Sequence, residues 1–280
     1  MPADRALAEA LKAHGIDAAP AVWSNTAVPW QGFQAALIRS PWDYYLRAAE
    51  FEAWLDRIEA LRLSLWNPVR TVRWNMHKGY LSELAEAGAP LPGTVVVRGD
   101  ALAPSLSAIF TERGWPALVM KPAVSGGAFE TYKVERDDAA AFEERYRGIH
   151  MRGDVIVQEY CPRIETSGEL SLIYVGGVFT HACRKVPKDA DFRVQERFGG
   201  RNLRHTPTAL EHHAAERVLE ATKKLGYEHA YARVDLVHHA NDLVLMELEV
   251  IEPWLFLDTV PEATEQVAEL LARRLVNSQT

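Results

Sequence analysis

The first third of the chain alternates between helical and extended patterns of hydrophobic residues. Helices are predicted at 4–14, 44–62 and 78–88, and a short strand is predicted at 35–40. The apolar face of the longest helix contains Leu46, Phe51, Trp54, Leu55 and Ile58. Pro41 follows the strand and Gly88 ends the third helix, as breakers of these elements commonly do. This alternation predicts an α/β lobe.

From about residue 94 the pattern becomes rich in strands. Strands are predicted at 94–97, 116–122, 130–135 and 154–160, and helices at 104–113, 137–147, 208–225 and 262–276. Two hairpins are also predicted, one turning at Gly176 and Gly177 and the other near Asn241 and Asp242. Residues 186–206 show no clear periodicity. The whole chain is therefore predicted to combine an α/β lobe with α+β lobes.

The composition is that of an ordinary globular protein. Of its 280 residues 48% are hydrophobic, and 31 basic against 38 acidic residues give a net charge of −7, which argues against nucleic acid or an anionic membrane as partner. No apolar run approaches the roughly 18 residues that span a bilayer, and the N-terminus does not read as a secretory signal, so a cytoplasmic location is predicted. Cys161 and Cys183 are too few for a disulfide framework and are predicted to be free thiols.

The segment LVLMELEVIEP at 243–253 places glutamates inside a predicted strand. Glu247 and Glu249 share a face, and two like charges roughly 6–7 Å apart repel by about 2–3 kcal/mol at an effective dielectric of about 20. Asp235 lies in the hairpin partner, so three carboxylates are expected to converge, and carboxylate oxygens are ligands that Mg²⁺ prefers. An edge strand with one solvated face, its glutamates paired with arginines, is an equally good interpretation. Glu252 is placed on the opposite side of the alternation, outside this site.

The segment KPAVSGGAFETYKV at 121–134 joins two predicted strands through a glycine-containing loop. Ser125, Gly126 and Gly127 leave backbone N–H groups accessible to an anion such as phosphate. The spacing fits neither the P-loop nor the dinucleotide-binding fingerprint, and a plain hairpin turn also explains it. Lys121, at the end of a strand, and Lys78 are positioned to neutralise phosphate, although solvated surface lysines are the common case.

Two further segments carry polar side chains that suggest chemistry. In residues 155–169, Glu159, Glu165 and Glu169 follow a strand and suit contacts to an adenine edge and to ribose hydroxyls; the alternative is a solvent-facing acidic linker. Residues 184–205 are locally basic and suit a phosphoryl group or a substrate carboxylate, or else form a mobile solvated loop. Their basic residues are Arg184, Lys185, Lys188, Arg193, Arg197, Arg201 and Arg204. No nucleophile-elbow or H-E-x-x-H motif is present.

Taken in order, these segments resemble the ATP-grasp superfamily, specifically its branch related to glutathione synthetase and the ribosomal-protein glutamate ligase. The resemblance spans nearly the whole chain and rests mainly on four sequence segments. These segments are VMKPAVSGGAFETYKV, VQEYCPRIETSGELSLIYVGG, DFRVQERFGG and MELEVIEPWLFL. They are also similar to those of a D-cycloserine-forming cyclo-ligase. The resemblance implies an ATP-grasp fold, in which a pre-ATP-grasp lobe at 1–75 precedes two α+β lobes, at 76–160 and 161–280, that sandwich ATP.

The same resemblance implies a role for particular residues. Lys78 and Lys121 match lysines on the ATP phosphates, and Ser125, Gly126 and Gly127 match the flexible loop over them. The hinge segment that binds adenine in this family corresponds to Gln158, Glu159, Tyr160 and Cys161. Glu165 or Glu169 is implied to hold the ribose. Asp235, Glu247 and Glu249 match the ligands of two Mg²⁺ ions, for which Mn²⁺ can substitute. Arg184 and Arg193 join Lys121 as the implied catalytic residues.

Two departures from this branch are visible. Glu249 stands where relatives such as the glutamate ligase have Asn, and its extra charge favours a site with two metal ions. The chain also begins with a helix where this branch usually begins with a strand.

The resemblance implies an ATP-dependent carboxylate–amine ligase that forms an acyl phosphate. Its partners are then a small-molecule carboxylate and an amine. An ATP-binding module without ligase activity and a small-molecule kinase are the alternatives. The identity of the substrates and the formation of a homodimer are left open by the sequence.

Overall fold

The computed structural model describes residues 2–189 and 191–277, so the ends of the predicted first and last lobes lie outside the described residues. The helices are α1 (Pro2–Ala13), α2 (Ala48–Ala60), α3 (Val69–Met76), α4 (Tyr80–Glu86), α5 (Leu106–Arg113), α6 (Ala139–His150), α7 (Arg163–Ser167), α8 (Ala209–Lys224) and α9 (Ala263–Asn277). The strands are β1 (Ala35–Leu37), β2 (Ser64–Trp66), β3 (Thr94–Val97), β4 (Ala117–Pro122), β5 (Tyr132–Glu135), β6 (Val155–Glu159), β7 (Glu169–Val175), β8 (Val178–Val186), β9 (Arg201–His205), β10 (Tyr231–His239) and β11 (Asp242–Glu249).

Within the described ranges these strands form three sheets. β1 and β2 pair in parallel in the first lobe. We call the predicted lobe at 76–160 the small lobe and the one at 161–280 the large lobe. The small-lobe sheet has the order β3-β6-β4-β5, and the large-lobe sheet has the order β11-β10-β7-β8-β9. Neighbouring strands in both of the larger sheets are antiparallel. The predicted mixture of α/β and α+β lobes is confirmed.

Both faces of the large-lobe sheet are covered, which explains its nearly continuous hydrophobic strands. Along β7, Leu172 and Tyr174 face a core shared with α4 and α8, while Ile173 and Val175 face a core shared with α1 and α9. Every residue of β7 is buried, as expected for a strand between two layers of helices. The small-lobe sheet has its own core, which α5 and α6 cover.

The prediction of one continuous helix over 44–62 is wrong at its beginning. Tyr44–Leu46 forms a 3-10 turn, and Arg47 has φ −131° and ψ 40°, so α2 begins only at Ala48. The Arg47 guanidinium binds the carboxylates of Asp43 and Glu50, which stabilises the break. Leu46, placed by periodicity on the apolar face, is 59% exposed because the turn directs it to solvent.

Several short elements escaped the sequence patterns. They are β2, α3, α7 and β9. β9 lies in the 186–206 segment and pairs with β8 at the edge of the large-lobe sheet. Its exposed arginines hide the alternation of polar and apolar residues that would have predicted a strand. The two cysteines are buried free thiols, as predicted. Among the described residues, no helix has the length and hydropathy needed to cross a membrane.

Candidate active site

The hairpin formed by β10 and β11 brings the three predicted carboxylates together. Asp235 lies directly opposite Glu247, and Glu249 lies opposite Arg233. One oxygen from each of Asp235, Glu247 and Glu249 lies within 4.8 Å of the other two. The convergence that strand alternation predicted is therefore present in the fold.

β11 lies at the edge of the large-lobe sheet, and side chains from α3 and α4 complete its backbone hydrogen bonds. The Asn75 amide donates to the carbonyl of Leu248 at 2.8 Å and accepts from the N–H of Val250 at 3.2 Å. The Tyr80 hydroxyl donates to the Leu248 carbonyl and accepts from its N–H. These bonds hold the strand on both sides of Glu249 and so orient the carboxylates.

Cations from the protein already face each carboxylate. Lys78 Nζ lies 2.9 Å from Glu247 Oε1, and Lys185 Nζ lies 3.0 Å from Asp235 Oδ2. Arg233 binds Asp235 at 2.8 Å and also contacts Glu249. Arg233 was missed as a site residue, and Lys185 was named only as one of the basic residues of 184–205, not as a partner of Asp235. The signal for Arg233 was available, because strand alternation in ARVDLV places it on the same face as Asp235.

The pKa values of the carboxylates follow from this arrangement. Burial would raise the pKa of Glu247, but Lys78 and Lys121 outweigh it and hold that pKa below its ordinary value. Asp235 behaves in the same way, because Arg233 and Lys185 hold its pKa low against the effect of burial. Burial, aided by the neighbouring negative charges, instead raises the pKa of Glu249 to about 7.

Glu252 was placed outside this site by extending the strand alternation, but β11 ends at Glu249. Burial first, and then the charges of Glu249 and Glu247, raise the pKa of Glu252 well above its ordinary value. Glu252 therefore lies within the electrostatic field of the carboxylate group.

An open cleft of about 790 Å³ lies between the small-lobe sheet and Glu247, whereas Asp235 and Glu249 do not line it. Most of the residues singled out in the sequence line it. They are Lys78, Lys121, Ser125, Gly126, Gly127, Gln158, Glu159, Tyr160, Cys161, Glu169, Arg193 and Glu247. Val119, Ile164 and Met246 supply an apolar part of the wall.

The glycine loop is tied to Lys78 by two hydrogen bonds. Lys78 Nζ donates to the carbonyl of Ser125 at 2.5 Å, and the Lys78 N–H donates to the carbonyl of Ala123 at 2.8 Å. Gly127 has φ +54°, a conformation that favours glycine. Burial lowers the pKa of Lys121, at the end of β4, to about 8. Both lysines and the loop thus converge on one part of the cleft.

The end of β6, where the predicted hinge begins, presents an unused hydrogen-bond acceptor. Gln158 is 1% exposed, and its amide nitrogen donates to Thr94 Oγ1 at 3.1 Å. Its Oε1 has no partner among the described residues. A buried acceptor without a partner is costly, so a ligand donor in the cleft would stabilise it.

The two carboxylates considered for a ribose lie in different surroundings. Glu169 is buried, lines the cleft and pairs with Lys185. Burial raises the pKa of Glu169 to about 6. Glu165 does not line the cleft; it binds Lys133 at 3.1 Å and accepts a hydrogen bond from Tyr160.

The two predicted catalytic arginines also differ in position. Arg193 lines the cleft, pairs with Asp191 at 2.8 Å and stacks over the Phe198 ring at 3.9 Å. Arg184 does not line the cleft, and its guanidinium donates to the Ser167 carbonyl at 2.7 Å.

Comparison with known proteins shows which family has this architecture. Residues 1–67 match a family described as the N-terminal domain of D-cycloserine synthetase DcsG. The solved structure of the ATP-grasp ligase PsnB, with a precursor variant, Mg and ADP, superposes with a TM-score of 0.64 at 17% identity, over 97% of this chain and 94% of PsnB. The cycloserine biosynthesis protein DcsG of Streptomyces lavendulae is 31% identical over 278 residues, which are 96% of this chain and 92% of DcsG. The chain belongs to the ATP-grasp family that includes DcsG.

A crystal structure of D-cycloserine synthetase DcsG agrees with this ATP-grasp assignment. It superposes with a TM-score of 0.88 at 27% identity, over 98% of this chain and 96% of that structure. The ATP-grasp fold and the relation to the cyclo-ligase, both implied by the resemblance of these sequence segments, are confirmed. The roles assigned to single residues stay predictions.

Proposed function

We propose that this ATP-grasp protein is an ATP- and Mg²⁺-dependent ligase. It activates a substrate carboxylate as an acyl phosphate, joins it to an amine or related nucleophile, and releases ADP and phosphate. The observation that carries the proposal is one cleft lined by Lys78, Lys121, the glycine loop and Glu247. Cations for phosphate and a carboxylate for a metal ion lie together there, as phosphoryl transfer requires.

The cleft suits ATP in both its charged and its apolar parts. Lys78 and Lys121 would hold phosphate oxygens beside the backbone of the glycine loop. At the other end, Val119, Ile164 and Met246 would contact the base, and the unpartnered Oε1 of Gln158 would accept from its amino group. Glu169, which lines the cleft, is the better placed carboxylate for the ribose.

The carboxylate group suits Mg²⁺ by the chemistry of its donors. Asp235, Glu247 and Glu249 offer only oxygen atoms, which hard divalent cations prefer, and Mn²⁺ accepts the same ligands. The extra charge of Glu249 supports a site for two ions. When bound, Mg²⁺ would supply positive charge to the transferring phosphoryl group.

The protein's own residues would position and shield the reaction. Arg233 and Lys185 orient the ligand carboxylates from behind. Arg193 and Lys121 would stabilise negative charge on the transferring group, and the glycine loop would exclude water from the acyl phosphate. The chemistry needs no protein nucleophile.

A screen for ADP release tests this function. Purified protein is incubated with ATP, Mg²⁺ and candidate amino acids or small dicarboxylates, and each hit is examined by mass spectrometry for a condensed product. The relative that is 31% identical is a cycloserine biosynthesis protein, and the solved DcsG structure is that of a D-cycloserine synthetase. D-cycloserine formation, an intramolecular ligation, is therefore the second candidate and belongs in the same screen. Failure to form ADP with any substrate would contradict the proposal.

The products also separate the alternative functions. A stable phosphorylated product without a condensed product would indicate a kinase. ATP binding without turnover, unaffected by Arg193→Ala, would indicate a nucleotide-binding module.

Replacing Glu247 by Gln tests the metal assignment. The substitution keeps the size of the side chain but removes the charge that a metal ligand needs, so Mg²⁺-dependent ADP formation should fall by at least about 100-fold. Glu262→Gln, which changes a surface carboxylate paired with Arg204, is the matched control and should retain activity. Full activity of Glu247→Gln with an intact fold would refute the assignment.

A further inference from the structure

Tyr45, in the first lobe, packs directly against the glycine loop. A Cβ placed on Gly126 would lie 2.8 Å from Tyr45 Cδ1, closer than such carbon atoms approach. The Tyr45 ring also lies 5.6 Å from the Phe129 ring, centroid to centroid. The loop is therefore shaped around an aromatic side chain that comes from another part of the chain.

The Tyr45 ring is anchored in the first-lobe core through its neighbour. Tyr44 is 4% exposed and packs edge-on against Tyr45 at 6.0 Å. Tyr44 in turn contacts Phe51 of α2 at 5.1 Å. The 3-10 turn at Tyr44–Leu46 thus presents a fixed ring to the loop.

The other contacts of the loop are of a different kind. Arg197 approaches the neighbouring Gly127, with its guanidinium 3.1 Å from the position of a Cβ, but it is a long and exposed side chain. Lys78 holds the Ser125 carbonyl, and its ammonium is also paired with Glu247. Of these contacts, Tyr45 provides the rigid apolar one.

We propose that Tyr45 is a positioning residue that holds the glycine loop over the nucleotide phosphates and so makes the first lobe part of the nucleotide site. This inference rests on the proposed function, because it assigns the loop to ATP.

Nucleotide affinity measures this role without knowledge of the acceptor. Isothermal titration of the full chain with Mg²⁺ and either AMPPNP or ADP is compared for the wild type and Tyr45→Ala. Loss of the aromatic contact should weaken AMPPNP binding by about three- to tenfold. ADP, which has no γ-phosphate for the loop to cover, should lose less than twofold.

Tyr45→Phe and Leu46→Ala are the matched controls. The first keeps the ring and should bind both nucleotides like the wild type. The second changes an exposed side chain of the same turn, 59% accessible, and should also bind like the wild type. Thermal unfolding of each variant checks that the fold is retained.

Gly126→Ala provides a steric test of the same contact. Gly126 does not have a positive φ, so alanine meets no backbone penalty there, and its methyl group conflicts only with the Tyr45 ring. The substitution should weaken AMPPNP binding in the wild type. In the Tyr45→Ala background it should cause no further loss.

The outcomes separate this role from the function on which it rests. A wild type that binds neither nucleotide would overturn both proposals. A wild type that binds both, with Tyr45→Ala equal to it, or with additive losses in the double variant, would overturn the role of Tyr45 and leave the proposed function standing. Equal losses for AMPPNP and ADP would also overturn it.

Discussion

At the scale of single residues, the site is a balanced group of charges, in which Asp235 is buried and Glu247 and Glu249 are half-buried. Two glutamates on one strand face would repel by about 2–3 kcal/mol if they stood alone. Lys78 and Arg233 pair with Glu247 and Glu249 instead, so that the fold tolerates both before any metal binds. Removing one cation would leave a buried charge uncompensated, which is strongly destabilising.

The lowered pKa of Lys121 predicts that nucleotide binding depends on pH. Burial lowers its pKa to about 8, so its ammonium group is charged below pH 8 and neutral above it. Phosphate binding requires the charged form, and the affinity for Mg²⁺ and AMPPNP should therefore fall by about fivefold between pH 8 and 9. Titration calorimetry from pH 7 to 9.5 measures this. Lys121→Arg, which stays charged, should remove the fall, and a wild type with constant affinity would contradict the assignment.

At the scale of elements, the carboxylate site depends on how an edge strand is covered. The backbone groups of an exposed edge need partners, and α3 and α4 provide side chains in place of another strand. Asn75 and Tyr80 bind the backbone of Leu248, the residue between the two glutamates. The helices therefore fix the positions of the carboxylates that lie on the strand.

Tyr80→Phe tests this covering with little change in packing. It removes one hydroxyl and leaves the N–H and C=O groups of Leu248 without that partner, so the free energy of unfolding should fall by about 1–3 kcal/mol. Urea denaturation followed by circular dichroism measures the change. Tyr174→Phe is the control, since the buried Tyr174 hydroxyl has no hydrogen-bond partner among the described residues and its loss should cost less than about 0.5 kcal/mol. Equal losses of unfolding free energy in the two variants would show that the hydrogen bonds of the Tyr80 hydroxyl do not stabilise the strand.

At the scale of the whole molecule, the first lobe and the large lobe are joined by buried hydrogen bonds. The Asn67 side chain donates to the carbonyl of Tyr231 at 2.8 Å and accepts from its N–H at 3.2 Å. The Tyr231 hydroxyl donates to the carbonyl of Ile38 at 2.9 Å. The small lobe has a separate core, and the cleft lies between it and the rest. A nucleotide in the cleft would therefore bind both parts at once.

Binding across the cleft predicts a rise in thermal stability. With free Mg²⁺–AMPPNP at one hundred times its Kd, the folded state should gain about 2.7 kcal/mol. For a chain of this size, that gain raises Tm by roughly 5 °C. Differential scanning calorimetry measures the shift, and Mg²⁺ without nucleotide is the control. An unchanged Tm at saturating nucleotide would contradict a site that spans the cleft.

Local patterns were sufficient for much of the fold. The period of two in ARVDLV and MELEV placed Asp235, Glu247 and Glu249 together, because hairpin pairing converts alternation directly into proximity. The helical period found α2, α8 and α9, whose apolar faces are long. It failed for the turn at Tyr44–Leu46, where an ion pair of Arg47 decides the conformation.

By itself, the sequence determined most of the longer elements, the carboxylate hairpin and, through its characteristic segments, the ATP-grasp family. Only the tertiary structure decided which charges meet. It placed Lys78 on Glu247, turned Glu165 and Arg184 away from the cleft, and set Tyr45 against Gly126. The physical reason is range: alternation and helical period act over a few residues, whereas these contacts join residues that are distant in the sequence and depend on how the elements pack.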